Sequence, residues 1–281
     1  MILNQIKTVL LLGILTALLL LIGSFWSYTG LTIALIFVIL MNFFTYFYSD
    51  KIILTIYRAK EVSKSQAPEL HNIIEDICKK AKIPKPKVYI IPTQHPNALA
   101  TGRNSKHAAV AVTQGILKLL TKEELKGVLA HEIAHIKNKD ILIATVAATI
   151  AGIISYVAMM ARFAAIFGGG RSERNSGLEL LFLAILAPII ALIIRLAISR
   201  SREYLADESG ARFIRKSSPL ANALLKLESA ARIMPLKKTS QTEITSHMMI
   251  VNPFSGKTLL TLFSTHPTVR DRISRLNKLK F

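Results

Sequence analysis

The chain has 281 residues, of which 51% are hydrophobic and only 7% aromatic. This aliphatic excess is too large for an ordinary soluble protein and indicates a membrane protein. The formal net charge of +19 suits either nucleic acid or an anionic membrane surface. Because no nucleic-acid-binding motif accompanies the basic residues, we interpret the charge as contact with membrane lipids and expect no nucleic-acid partner.

The N-terminal region predicts two membrane-spanning helices. No charged residue lies between Thr8 and Ser49, and one span needs about 20 residues. A polar and aromatic interval at 23–30 suits an interfacial turn, so we place the spans at 7–23 and 30–48. No small-residue cleavage site follows the first span and a second span comes at once, which favours an uncleaved anchor over a signal peptide.

The polar region 51–140 carries helix and strand signals in alternation. Apolar spacing and β-branched runs predict, in chain order, a helix from Pro68, strands at 87–91 and 108–113, and a short helix at 114–120. Thr121 and Glu124 then form a capping-box pattern, with Thr121 as the cap and Glu124 at the third helical position. We expect this box to begin a helix that runs through Lys137 or beyond.

Two further apolar segments follow. Residues 141–161 are uncharged and predict a third span, and residues 168–177 form a glycine-rich turn. The run at 180–194 is shorter and contains Pro188. We interpret it as a fourth span, with a buried apolar hairpin packed against protein as the alternative.

Lysine and arginine placement predicts the orientation. Regions 51–140 and 195–281 carry 16 such residues each, whereas interval 23–30 has none and loop 162–177 has three. By the positive-inside rule, both large polar regions are cytosolic and both short loops lie outside.

The string His131-Glu132-Ile-Ala-His135 predicts a metal site. Histidines at i and i+4 share one helix face, so both imidazoles can bind a single Zn²⁺. Glu132 beside the first ligand is placed to take a proton from a metal-bound water. The alternative is two histidines on a solvated helix face, but a capped amphipathic helix favours the metal.

A catalytic zinc needs a third protein ligand. Glu203 and Asp207 are also i and i+4, so they share a helix face. Glu203 is the candidate ligand, and Asp207 would accept an N–H from a ligating histidine and fix its orientation. An ordinary acidic helix face paired with Arg200 or Arg202 remains the alternative on spacing alone.

Four motifs in this order resemble the HtpX-type membrane zinc proteases, which are relatives of the CAAX prenyl endopeptidases. The motifs are Asn97-Ala-Leu-Ala-Thr-Gly102, His131-Glu-Ile-Ala-His135, Ser201-Arg-Glu-Tyr-Leu-Ala-Asp207 and Thr265-His-Pro267. The resemblance covers most of the chain, including the four spans. It implies one Zn²⁺ per chain bound by His131, His135 and Glu203, with Glu132 as general base. It also implies stress-related quality control of membrane proteins.

The resemblance further suggests that His266 faces the active site and steadies the oxyanion of the reaction; a helix-capping histidine is the alternative. The segment Asn97, Ala98, Leu99 and Ala100 is expected to be an exposed strand edge to which an extended substrate adds, with a plain turn after Pro96 as the alternative. Two residues depart from the family pattern: Leu99 replaces a usual Phe, and Thr268 replaces a common second Pro. Both departures concern substrate fit or local backbone more than catalysis.

The position of the ligands predicts where cleavage occurs. If the His135 helix continues into the third span, six residues, or roughly 9 Å, separate it from Ile141. Glu203 lies eight residues beyond Arg195, or roughly 12 Å along its helix. Both ligands then lie just beneath the bilayer, and cleavage is expected at or just outside the cytosolic face. Segment 235–257 is a candidate mobile apolar element beside the cleft.

We therefore predict a mainly α membrane protein with four transmembrane helices and a cytosolic α+β zincin-like (gluzincin) catalytic domain. Residues 1–50 and 141–198 supply the spans, and 51–140 and 199–281 supply the catalytic parts. The predicted activity is a zinc endopeptidase of the plasma (inner) membrane that cleaves misfolded or damaged membrane proteins. A CAAX-type processing protease and a non-enzymatic membrane scaffold are the alternatives. Charged residues around the motif argue against an intramembrane protease.

Overall fold

The computed structural model describes residues 27–147, 149–150, 200–233, 250 and 267–281, with scattered residues between 6 and 24. Its elements in chain order are α1 (Ser27–Ile56), β1 (Lys60–Glu61), α2 (Pro68–Ala81), β2 (Lys87–Ile91), β3 (Ala98–Asn104), β4 (His107–Thr113), α3 (Gln114–Leu119), α4 (Lys122–Lys137), α5 (Arg200–Ile214), α6 (Ser218–Ile233) and α7 (Val269–Leu276). The predicted helices, strands and capping box between Pro68 and Lys137 are confirmed.

Helix α1 is long and apolar enough to cross a membrane. Its stretch Tyr28–Ile56 has 29 residues and contains an 18-residue window with a mean hydropathy of 2.1. Most of its large apolar side chains are exposed, as lipid contact requires. The predicted span 30–48 lies wholly within it. The predicted turn at 23–30 is wrong in its second half, because residues 27–30 are already helical. The Thr32 hydroxyl donates a hydrogen bond to the Tyr28 carbonyl one turn earlier. Through this bond the helix backbone pairs a polar side chain within the helix itself.

The other span predictions fall largely outside the described residues. Span 7–23 is described only at scattered helical positions, one of which is Thr16, whose hydroxyl accepts from the Asn42 amide of α1 at 3.0 Å. Residues 141–147 of the third span are helical. The fourth span and the turn at 168–177 lie outside the described part of the chain.

Four strands form one sheet in the order β1-β2-β4-β3, with β2 and β4 parallel and the other pairs antiparallel. Strand β3 therefore lies at an edge, as predicted. Its residues Ala98–Thr101 are nonetheless buried rather than exposed. Helix α1 packs against β3 on one face of the sheet and α4 packs on the other, so the edge strand lies between two helices.

Helix α4 lies at the centre of the molecule. It packs against α2, α5, α6 and β3, and its apolar residues Val128, Leu129, Ile133 and Ile136 are at most 1% exposed. Gly210 of α5 allows a close approach, since a Cβ there would lie 2.8 Å from the His131 nitrogen and from the Ala130 carbonyl carbon. The α5 backbone thus rests directly on the turn of α4 that carries the metal motif.

Helix α4 ends before the third predicted span, so the condition of a helix continuous from His135 into that span is not met. It ends at Lys137 with Lys139 in the left-handed conformation at φ 58°. The Lys139 N–H donates to Ile136 O and the Asp140 N–H donates to His135 O, which is the bond pattern of a Schellman motif. This motif returns Asp140 to the last turn of the helix, and a new helix begins at residue 141.

Gly210→Ala should destabilise the protein and weaken its metal affinity. The added Cβ would meet backbone atoms of α4 at 2.8 Å, and overpacking of this kind costs about 1–3 kcal/mol. Thermal unfolding in detergent measures the effect. Gly13→Ala is the matched control, because nothing lies within 4 Å of its Cβ. Equal Tm values for the two variants would contradict the close α4–α5 packing.

Candidate metal centre

Three side chains converge on one point where α4 meets α5. The Nε2 atoms of His131 and His135 lie 3.0 Å apart. The Glu203 carboxylate lies 3.6 Å from His131 Nε2 and 3.7 Å from His135 Nε2. Two nitrogens bound to a tetrahedral zinc at about 2.0–2.1 Å are themselves about 3.3 Å apart. These three residues therefore form a group that could hold one zinc ion with a small adjustment.

Each histidine is oriented from behind by a carboxylate. His131 Nδ1 donates to Asp207 Oδ1 at 2.9 Å, and His135 Nδ1 donates to Asp140 Oδ2 at 3.0 Å. With the proton on Nδ1, the Nε2 lone pair of each ring points at the metal position. This is the arrangement that most histidine ligands of metals share. Asp207 thus lies behind His131, and Asp140, which the sequence did not single out, lies behind His135.

The charge of the centre fits a divalent cation. Glu132, Glu203, Asp207 and Asp140 are all buried, and the guanidinium groups that face them belong to Arg272 and Arg202. Burial disfavours the charged form of His135, but Asp140, Glu203 and Glu132 raise its pKa to about 10. The same excess of negative charge that stabilises a protonated imidazole stabilises a bound Zn²⁺.

Glu132 is buried beside the two histidines, with 4% of its surface exposed. Burial raises its pKa, and the positive charge of the neighbouring histidines acts against that rise. The backbone of Ala100 in β3 also lowers that pKa, so the carboxylate lies beside the strand that is predicted to bind substrate.

Of the remaining predicted site residues, those of the strand segment are described by the structure, whereas His266 is not. Asn97 is buried and its side-chain oxygen accepts from the Ile250 N–H at 3.3 Å. The Leu99 side chain packs with Ile53 and Leu54 of α1, on the face of the sheet away from α4, so it does not line the metal centre. His266 and the predicted mobile segment lie outside the described residues, apart from buried Ile250.

Arg272 is the other residue of the centre that the sequence analysis missed. It is 1% exposed and forms two bonds to Asp207, of 2.8 Å from Nε and 2.6 Å from Nη2. Burial alone would raise the pKa of Asp207, but Arg272 and His131 keep it below its usual value. Asp207 therefore remains ionised and able to accept from His131. Arg272 lies six residues after His266 in the sequence, and no spacing signal identifies it as part of the centre.

Asp140→Asn should weaken zinc binding by about 10–100-fold, the usual effect of removing a carboxylate behind a histidine ligand. An amide holds His135 less firmly and leaves its Nε2 a poorer donor. Competition with a chromogenic chelator measures the affinity. Asp76→Asn on α2 is the control, because it also breaks ion pairs, with Lys80 and Lys126, but remote from the centre. Unchanged affinity in Asp140→Asn would contradict the assigned contact.

The amino-acid sequence is similar to those of curated proteases along nearly its whole length. It is 54% identical over 278 residues to a Protease HtpX homolog of Desulfatibacillum aliphaticivorans, covering 97% of this chain and 89% of that one. It is 53% identical over 280 residues to a Protease HtpX homolog of Persephonella marina, covering 98% and 97%. The fold resembles the crystal structure of S. mikatae Ste24p with a TM-score of 0.53 at 19% identity. That match covers 98% of this chain and 65% of Ste24p.

The family assignment agrees with the chemistry of the centre. Residues 64–280 match peptidase family M48, and this range contains every residue of the metal group. M48 peptidases are zinc metalloproteases, which excludes a non-enzymatic membrane scaffold. The chain therefore belongs to peptidase family M48 and is a membrane zinc metalloprotease.

Proposed function

We propose that this protein is a multi-pass endopeptidase of the plasma (inner) membrane that cuts misfolded or damaged membrane proteins at the cytosolic face. The observation that carries the proposal is the contact of Glu132 with both the metal group and the edge strand β3. A base, a metal position and a strand that can align a polypeptide lie within one buried cluster.

In this proposal, His131, His135 and Glu203 bind the zinc. A bound zinc lowers the pKa of water and polarises the scissile carbonyl. Glu132 accepts the proton of the attacking water and delivers it to the leaving amine. His266 is proposed to steady the developing oxyanion.

The geometry of β3 supports binding of an extended substrate. The Thr113 N–H donates to Asn97 O at 2.9 Å, so the peptide groups of Asn97 point towards β4. Alternate residues of an antiparallel ladder point in opposite directions, and the peptide groups of Ala98 and Ala100 therefore point away from β4. A polypeptide that adds to this edge is recognised through its backbone. Backbone recognition suits an unfolded segment of any sequence.

Three features support cleavage at the cytosolic face. Helix α1 is the candidate span and ends at Ile56, shortly before the catalytic sheet begins. The ligand helix α4 ends at Lys137, and three residues separate it from the apolar segment that starts at residue 141. The lysine and arginine excess around both catalytic parts is the signature of cytosolic regions.

Glu132→Gln should retain zinc and lose at least about 100-fold in turnover, since general acid–base catalysis contributes about 10²–10⁴-fold. The assay is cleavage of an unfolded model protein by detergent-purified enzyme, with bound zinc measured in parallel. Glu123→Gln on the exposed face of the same helix is the matched control. Full turnover in Glu132→Gln would remove Glu132 from the mechanism. Zinc in both proteins without cleavage would instead favour lipidated C-terminal peptides as the substrate class.

Cleavage of a model membrane protein in vesicles should map to its cytosolic juxtamembrane segments. The substrate carries unstructured segments of equal sequence on both sides of the bilayer, and the products are located by mass spectrometry. Cuts in the external segment alone would reverse the proposed orientation. Cuts only at bilayer depth would require an intramembrane protease.

A further inference from the structure

Arg272 is a charged side chain in a place where charge is costly. It is among the largest fully buried side chains described and is 1% exposed. A guanidinium is seldom buried unless its donors are paired. Its position on α7, near the C-terminal end of the chain, places it far in sequence from the residues it contacts.

The donors of Arg272 face two different parts of the centre. Nε and Nη2 form a fork on both oxygens of Asp207, at 2.8 and 2.6 Å. Asp207 Oδ1 also accepts from His131 Nδ1. Arg272 therefore fixes the carboxylate that orients a zinc ligand, and a two-point fork sets the plane of that carboxylate in a way that one donor cannot.

The third contact leads towards β3. Nη1 of Arg272 donates to the Ile250 carbonyl at 2.7 Å, and the Ile250 N–H donates to Asn97 Oδ1 at 3.3 Å. Asn97 is in turn held by its own N–H, which donates to Thr113 Oγ1 at 2.9 Å. Ile250 is the one residue that the structure describes between 234 and 266, and both of its peptide groups are engaged.

Direct contact between Arg272 and a substrate is inconsistent with its burial. Asp207 and Ile250 occupy the ends of the guanidinium. Nη2 also lies 3.4 Å from His131 Nδ1 and 3.5 Å from His131 Nε2, and Nη1 lies 3.9 Å from Glu203. A side chain that is 1% exposed and paired in this way acts through the groups that it holds.

We propose that Arg272 is a positioning residue that couples the zinc ligand His131, through Asp207, to the substrate strand, through Ile250 and Asn97. This proposal deepens the proposed function and rests on it for the role of β3. The contact of Arg272 with Asp207 sets the metal affinity. Its contact with Ile250 sets the position at which β3 presents its edge to a polypeptide. Because both contacts use one guanidinium, a change in either contact alters the other.

The first test compares zinc affinities of the full-length protein in detergent, measured by chelator competition. Arg272→Gln should weaken zinc binding by about 10–100-fold, the range for groups that orient metal ligands. Arg272→Lys keeps the charge but loses the fork, and should fall between wild type and Arg272→Gln. Arg270→Gln, on the exposed side of α7, is the matched control. All affinities are measured on protein shown to be folded by its thermal unfolding transition.

A purely structural role for Arg272 would lower Tm in Arg272→Lys and leave its zinc affinity at the wild-type value. That result would overturn the proposal. The lysine variant also keeps the test decisive if Arg272→Gln does not fold, because it retains a buried cation opposite Asp207.

The second test is a double-mutant cycle between Arg272→Lys and Asn97→Ala. Asn97→Ala should raise KM more than it lowers kcat and should also weaken zinc binding several-fold, although Asn97 does not touch the metal group. In the double variant the loss of zinc affinity should be smaller than the product of the two single losses. Multiplicative losses, or wild-type zinc affinity in Asn97→Ala, would overturn the coupling.

Failure of the proposed function gives a different pattern from failure of this inference. Zinc affinity is read without turnover. Coupled zinc affinities in an enzyme that cleaves no unfolded protein would sustain the role of Arg272 in metal binding, overturn its role in presenting the substrate strand, and reject the proposed substrate class. Uncoupled affinities in an active protease would overturn the coupling through Arg272 and leave the proposed substrate class in place.

Discussion

The structure depends on placing two imidazoles and four carboxylates inside an apolar helix bundle. Helix α4 packs against other elements on most of its sides, so its metal motif is largely shielded from solvent. Isolated buried charges cost several kcal/mol each even after relaxation. Each carboxylate of the centre is therefore matched to a histidine, a guanidinium or a backbone N–H. The polar network and the apolar core therefore depend on each other, because the core can bury these charges only where the network pairs them.

The end of α4 joins this polar network to the apolar segment that begins at residue 141. A Schellman motif normally brings its last residue back against the final helical turn, where an apolar contact is usual. Here that residue is Asp140, and the contact is a hydrogen bond to His135. The apolar segment then begins at residue 141. Asp140 thus closes the end of the ligand helix, orients a ligand and directly precedes the apolar segment that is predicted to span the membrane, which leaves little freedom between the metal position and that segment.

The sequence predicted features that depend on residues close together in the chain, and it missed contacts between residues far apart in the chain. The capping box, the strand at Lys87–Ile91 and the spacing of His131 and His135 follow from periods of two and 3.6 residues, so they can be read directly. Asp140 lies only five residues after His135, but its return to the last turn of α4 depends on the positive φ of Lys139, which a lysine does not signal in the sequence. The buried state of β3 depends on helices on both of its faces, which no strand pattern reports.

Arg272 illustrates the limit most clearly. Its sequence context is a basic amphipathic helix, in which most charges are exposed, and Arg270 two residues earlier is indeed exposed. Only the position of α7 against α5 shows that residue 272 points at Asp207. Asp207 and Arg272 are 65 positions apart in the sequence, and no sequence pattern pairs them. Long-range ion pairs within a centre are a property of the packed fold.

The ligand set also explains why the two catalytic parts cannot act alone. Glu203 follows His135 by 68 residues, most of them in the apolar segments predicted to span the membrane. Closing a flexible loop of that length costs about 4 kcal/mol in chain entropy. The close α4–α5 contact at Gly210 and the fork of Arg272 on Asp207 offset that cost before any metal binds. A zinc ion then adds a bond across the same junction, so the centre forms only when the returning chain has brought α5 back onto α4.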